Sequence, residues 1–216
     1  MLEEGVLKPL QKLASSPQVD IRRESARAFA LFASKRDSHQ DLLQAGGLQQ
    51  MVSFLRSDDP KCERFGALGV ANLALYPSNH QELIEDGSLT ALCGVIGSKD
   101  IETRRCVAFA LNNVAANEKN HVVCDRLGVI KPLIALAHEE DMDTHLQAVI
   151  AMRHLASNAR NRVKITMQKI DFLLIEYFFT SITQYRFFIY FKIFPTSRAF
   201  VTTHRFDLYK KIFVLI

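Results

Sequence analysis

Between Glu102 and Ala116 the apolar and small residues Val107, Ala108, Leu111, Val114 and Ala115 fall at spacings of three and four. That spacing predicts a helix with one buried face. The surrounding stretch, Gly87 to Leu127, reads as three helices. Their breaks are Gly87, the turn Gly97 to Asp100, and the polar link Ala116 to Asn120. A helix triplet of this size cannot bury its own apolar stripe and needs a neighbour of the same shape.

The chain supplies that neighbour several times. Gly5, Gly46, Gly87 and Gly128 are each 41 residues apart, followed in register by Leu7, Leu48, Leu89 and Ile130. Further into the unit Ala26, Ala67, Ala108 and Val149 align, then Phe29, Val70, Leu111 and Met152. Phe32, Leu73, Val114 and Leu155 follow, and then Ala33, Ala74, Ala115 and Ala156. Size class repeats more faithfully than identity, as a stacked core requires, because a neighbour asks only for an apolar group of tolerable volume.

Local signals agree with the period. Short first helices are predicted over 38–45, 79–86 and 120–127, with Asn79 and Glu82 at capping-box spacing. Second helices start near Leu7, Leu48, Leu89 and Ile130. Asp59, Asp100 and Asp141 stand where a long third helix needs an acceptor for its first amides, and Pro60 suits the first helical position. The first unit starts at its second helix, so the chain reads as a piece of a longer protein or one whose start falls inside a unit.

A unit of this length, built from a short helix, a glycine turn and two longer helices, with ANLAL at Ala71 to Leu75 and LNNVA at Leu111 to Ala115, resembles the armadillo repeat. The segments EDGSLTALCGVI and DRLGVIKPLIAL resemble the glycine-led second helix of that family. The resemblance covers Gly5 to Thr166 and implies an all-α, right-handed α-solenoid of about four repeats, occupying residues 1–166. In texture it is closer to armadillo-only proteins such as the vacuolar membrane scaffold than to beta-catenin or importin-alpha.

Charge and cysteine content narrow the functional classes. Net charge is +4, but the residues through Thr166 are balanced and the excess lies beyond them. The repeat body is therefore not a polyanion binder by bulk charge, and nucleic acid is not the expected partner. Cys62, Cys93, Cys106 and Cys124 form no CxxC pair or zinc spacing and read as buried, reduced thiols. The start of the chain has no cationic segment followed by an apolar run, so a cytoplasmic, or nuclear, location is expected.

From Met167 the composition changes. Ten of the 15 Phe and four of the 5 Tyr lie in residues 167–216, without glycine, and Lys169 stands where the next repeat glycine is due. This aromatic-rich segment reads as a non-repeat tail. It is either a translated non-coding stretch, from a splicing or gene-model error, or a hydrophobic, membrane-surface segment. Asp171, Glu176, Arg186 and Lys192 interrupt it too often for a membrane span.

No Ser, His and Asp set, GxSxG or phosphate-cradling glycine loop appears, so no catalytic residues and no cofactor are expected. His39, His80 and His121 also recur at 41. Repeats stacked about 10 Å apart cannot bring them to one metal ion, whose ligands lie about 2 Å from it, so they read as polar residues opening the first helices. The run His138, Glu139, Glu140, Asp141 reads as a solvated turn, leaving no metal site.

The opposite face of the third helices carries the candidate site. If Ala26, Phe29, Phe32 and Ala33 face inward, three rows face out. They are Arg23, Arg64, Arg105 and Leu146; Arg27, Leu68, Phe109 and Ile150; and Leu31, Asn72, Asn113 and His154. The armadillo resemblance implies that this face lines a concave groove, with Asn72 and Asn113 holding the backbone of an extended peptide. It further implies that the arginines pair with carboxylates or phosphates of an acidic partner and the middle row supplies apolar contact. The same arginines could instead pair with Glu24, Glu63 and Glu102 on their own helices. Importin-alpha carries tryptophans where this chain has Leu68 and Phe109, a departure that argues against basic cargo. The expectation is a protein-interaction scaffold without enzymatic activity. Alternatives are a transport-receptor-like cargo module, or a fragment of a larger scaffold with no function of its own. Membrane association would come only through a partner or the tail.

Overall fold

The computed structural model describes residues 5–167. Its helices are α1 (Leu7–Ala14), α2 (Val19–Ala33), α3 (His39–Gln44), α4 (Gly47–Leu55), α5 (Pro60–Ala74) and α6 (His80–Glu85). They continue as α7 (Ser88–Gly94), α8 (Ile101–Ala115), α9 (His121–Arg126), α10 (Ile130–Leu136), α11 (Met142–Ala156) and α12 (Ala159–Met167). No strand occurs among the described residues. The readings made for the tail fall at 168–216, outside the described residues, apart from Met167, which ends α12.

Each long helix starts where its cap allows. Asp59 accepts from the backbone N–H groups of Lys61 and Cys62, Asp100 from Thr103, and Asp141 from Thr144. These bonds satisfy amides that the helix itself leaves unpaired. In α2 the equivalent residue is Gln18, whose side chain makes no cap. At the other joint, the recurrent glycine takes a left-handed conformation, with φ of 77° at Gly46 and 79° at Gly87. A side chain at such a φ costs about 1–2 kcal/mol, so this turn fixes the glycine and with it the phase of every unit.

The long helices form one continuous layer, α2 on α5, α5 on α8 and α8 on α11, and α1, α4 and α10 pack beneath α2, α5 and α11. The aligned apolar positions fill the space between. Ala26, Ala67, Ala108, Phe29, Val70, Leu111, Leu73, Val114 and Leu155 are all buried. Phe32 departs from the expectation and is only half-buried, packed against the edge of the core. The core is one apolar cluster running through all units, as expected when each triplet covers the next.

The short first helices hold the stack by a polar route. His39, His80 and His121 are buried, and their Nε2 atoms lie 2.8 Å from the carbonyls of Ala33, Ala74 and Ala115. Asn79 and Asn120 donate from Nδ2 to His39 Nδ1 and His80 Nδ1 of the preceding unit, both at 2.9 Å. They also donate to the carbonyls of Leu73 and Val114, at 3.0 Å. With both amide hydrogens placed, the rings of His39 and His80 must accept at Nδ1 and donate from Nε2, which fixes the same tautomer at both steps. The capping box expected at Asn79 is therefore absent, because its side chain points into this ladder and makes no cap bond in α6. Asn161 in α12 continues the register, donating to the His121 carbonyl at 3.1 Å.

Candidate interaction face

All twelve positions of the three expected rows are exposed or half-buried, while Ala26, Phe29, Ala67, Val70, Ala108 and Leu111 of the same helices are buried. The face is therefore a strip that crosses α2, α5, α8 and α11 along the length of the array. Its middle row runs from the exposed Arg27 through Leu68, at 36% exposure, to Phe109 and Ile150, both partly buried, and Leu31 of the third row, one turn after Arg27, is 58% exposed.

The asparagines are part-used. Asn72 donates from Nδ2 to the Ala30 carbonyl at 3.2 Å, and Asn113 to the Phe109 carbonyl at 3.0 Å. Each leaves its amide oxygen and one N–H outside these bonds, a donor and an acceptor side by side, the pair that a peptide unit presents in mirror order. His154 closes the row. Burial, then the nearby Arg153 charge, lowers its pKa from 6.5, so it presents a neutral ring.

The arginines have main partners that neither reading of the sequence named. Arg23 grips Asp59 through Nε and Nη2, at 2.8–3.1 Å, Arg64 grips Asp100 the same way, and Arg105 grips Asp141 at 2.7–3.0 Å. Each carboxylate belongs to the next unit and is the one that caps its long helix. The fork thus joins two units and a helix start in a single bidentate contact. Of the expected same-helix partners, Glu102 does reach Arg105 Nη1 at 2.9 Å, whereas Glu24 pairs with Arg27 at 3.7 Å. Glu63 has a buried oxygen without a hydrogen bond.

Electrostatics follow the contacts. The hydrogen bonds from Arg23 pull Asp59 from 3.8 to about 2. Those from Arg105 hold Asp141 lower still. At Asp100 burial pushes the carboxyl up, but Arg64 and Thr103 together outweigh it and the net shift is downward. The constant offset of 36 residues between each arginine and its aspartate was present in the sequence. Two recurrent rows of opposite charge at fixed separation were the signal for this clamp.

The remaining candidates are structural. His138 Nδ1 bonds the Ile134 carbonyl at 2.7 Å, and Glu139 pairs with Arg104 at 3.3 Å. With Asp141 capping α11, the expected solvated turn is a bonded one. Burial raises the thiols of Cys93 and Cys106 to about 11 and of Cys124 to about 12, so all three stay protonated at neutral pH. Among the described residues no helix is long and apolar enough to cross a membrane.

The array is an armadillo-type α-solenoid. Three solved structures similar to it are designed armadillo repeat proteins. One, computationally designed for modular peptide recognition, has a TM-score of 0.75 at 23% identity, covering 83% of this chain and 76% of that one. A second has a TM-score of 0.74 at 24% identity, covering 83% and 77%. A third, in complex with the peptide (KR)4, has a TM-score of 0.69 at 23% identity, covering 76% and 71%. No protein-family model and no curated protein sequence matches the chain.

Proposed function

We propose that the protein is a non-catalytic interaction scaffold that binds an extended peptide segment of a partner along the strip formed by α2, α5, α8 and α11. The observation that carries this reading is the pairing on one open face of an uncommitted amide edge at Asn72 and Asn113 with the apolar residues Leu31, Leu68, Phe109 and Ile150. An extended chain has unpaired donors and acceptors on its backbone and side chains on alternate sides. Asparagines can take the first while the apolar residues take the second. The designed neighbours, one made for peptide recognition and one holding a peptide, support the same use of the fold.

The acidic character of the ligand rests on the arginine row. The Nε and Nη2 edges are already occupied by Asp59, Asp100 and Asp141, and Asp20 and Glu102 take the Nη1 side of Arg23 and Arg105, so an acidic side chain would approach the Nη1 side of Arg64. A basic ligand is the second reading, as for transport-receptor-like cargo. Asp20, Glu102 and Asp143 lie within 3.6 Å of Arg23 or Arg105 and add carboxylates to the clamps, so the three arginines are outnumbered.

A peptide array of acidic, basic and uncharged extended segments, probed with the full chain, tests both. The double variant Asn72→Ala, Asn113→Ala removes about 1 kcal/mol per lost main-chain contact, so affinity for the best binders is expected to fall roughly thirtyfold. Unchanged affinity in a normally melting double variant would discard the asparagine strip.

A further inference from the structure

The arginine clamps are equivalent in their grip on the next unit but not in what surrounds them. Three residues before each arginine, on the same face of its helix, stand Asp20, Lys61 and Glu102. Residues at that spacing are neighbours on a helix surface. Asp20 accepts from Arg23 Nη1 at 3.1 Å, and Glu102 from Arg105 Nη1 at 2.9 Å. In the second unit the corresponding residue is Lys61, which is exposed and cannot accept. Arg64 therefore bonds Asp100 through Nε and Nη2 while, among the described residues, its Nη1 edge has no carboxylate within salt-bridge distance, and it is the most exposed of the three, at 43% against 29% and 37%.

The same substitution acts on the unit before. Arg105 also has Asp143, the residue at this register in the following unit, at 3.6 Å. For Arg23 that place is held by Lys61. Glu102 is the other carboxylate acting on Arg64, and it is bonded to Arg105. Replacing an acid by a lysine at one step of an otherwise acidic row thus reverses the local charge between Arg23 and Arg64. The two-hydrogen Nη1 edge of Arg64 lies there, one helical turn before the exposed Leu68.

We propose that Lys61 and the Nη1 edge of Arg64 form an anion-binding anchor for one Asp or Glu side chain of the bound segment. Its carboxylate takes the place that Asp20 and Glu102 fill in the neighbouring units. This rests on the peptide-binding reading above and confines acid recognition to a single step of the array. Arg23 and Arg105, with Nη1 bonded inside the chain, act as clamps only.

The test uses uncharged extended peptides through which a single glutamate is walked, each paired with its glutamine counterpart and with a phosphoserine version, and binding is read by fluorescence anisotropy. One glutamate register is expected to bind about tenfold tighter than its glutamine twin. Lys61→Glu leaves the Arg64 to Asp100 clamp in place and supplies the missing carboxylate internally. It is expected to abolish that tenfold preference while leaving the melting temperature unchanged or raised. Glu102→Lys is expected to create a second preferred register one unit along. Retention of the glutamate preference by Lys61→Glu overturns the anchor. So does a register that responds to phosphoserine and ignores glutamate, which would make the ligand a phosphoprotein segment. If Asn72→Ala, Asn113→Ala still weakens the uncharged peptides in either case, the strip stands and only the anchor falls. If no peptide in the set binds, both fall.

Discussion

A single aspartate here does two jobs, and they can be separated. Asp100 caps α8 through the Thr103 amide and hydroxyl, and it holds Arg64 of the preceding unit. Asparagine caps a helix about as well as aspartate but carries no charge. Asp100→Asn is therefore expected to cost under about 1 kcal/mol, the value of a part-exposed ion pair. Asp100→Ala is expected to cost about 1–3 kcal/mol, because cap and clamp go together. Urea unfolding of the two variants checks this, and equal costs would mean that the cap contributes nothing. The aspartates were legible as caps and the arginines as a row. Their union was marked only by a constant offset of 36 residues, which reaches into the next unit, where no local rule looks for a partner.

At the level of the helix, α5 shows how closely one layer lies on the next. A Cβ on Gly66 would come within 2.8 Å of the Met51 carbonyl and 2.9 Å of the Leu55 amide nitrogen, both backbone atoms of α4. Alanine is the better helix former by about 1 kcal/mol. Packing nevertheless decides the sign here, and Gly66→Ala is expected to destabilise by about 1–3 kcal/mol. Gly94, near the end of α7, has nothing within 4 Å of the same added atom, so Gly94→Ala is expected to be neutral or stabilising by up to about 1 kcal/mol. Thermal melts of the pair check the contrast, and a stable Gly66→Ala protein would show that α4 and α5 can move apart. The glycines of the turns announced themselves by period. Gly66 did not, since a backbone-to-backbone approach leaves no mark on the hydrophobic pattern.

Across the whole array, the clamps set the response to acid. Asp59 falls from 3.8 to about 2 on folding and Asp141 falls further, so the folded chain binds these protons later than the unfolded one. The resulting stabilisation is complete above the unfolded value of 3.8 and is lost as pH falls through the folded values. Because a clamp sits at each of three junctions, the loss is expected along the entire stack rather than at one end. Urea midpoints should decline gently below about pH 6.5, where the unfolded chain protonates His154 first, and then drop more steeply from about pH 4 toward about pH 2. The Asp100→Asn variant should show a shallower drop. A profile unchanged by that substitution would place the acid sensitivity elsewhere.

Period, helix boundaries, apolar faces and capping aspartates all follow from the order of residues, since each depends on neighbours within a turn or on repetition of one unit. The outward rows on the third helices followed too, by subtraction from the buried face. Tertiary structure alone decided which partners within the chain those rows meet. Stacking carried Asp59, Asp100 and Asp141 against the preceding arginines, and turned the recurrent histidines and asparagines into one buried ladder. It left the edge of Arg64 beside Lys61 as the place where the pattern is open. Side chains compete for partners in three dimensions, and an arginine's nearest carboxylate is set by the spacing of packed helices, not by its distance along the chain.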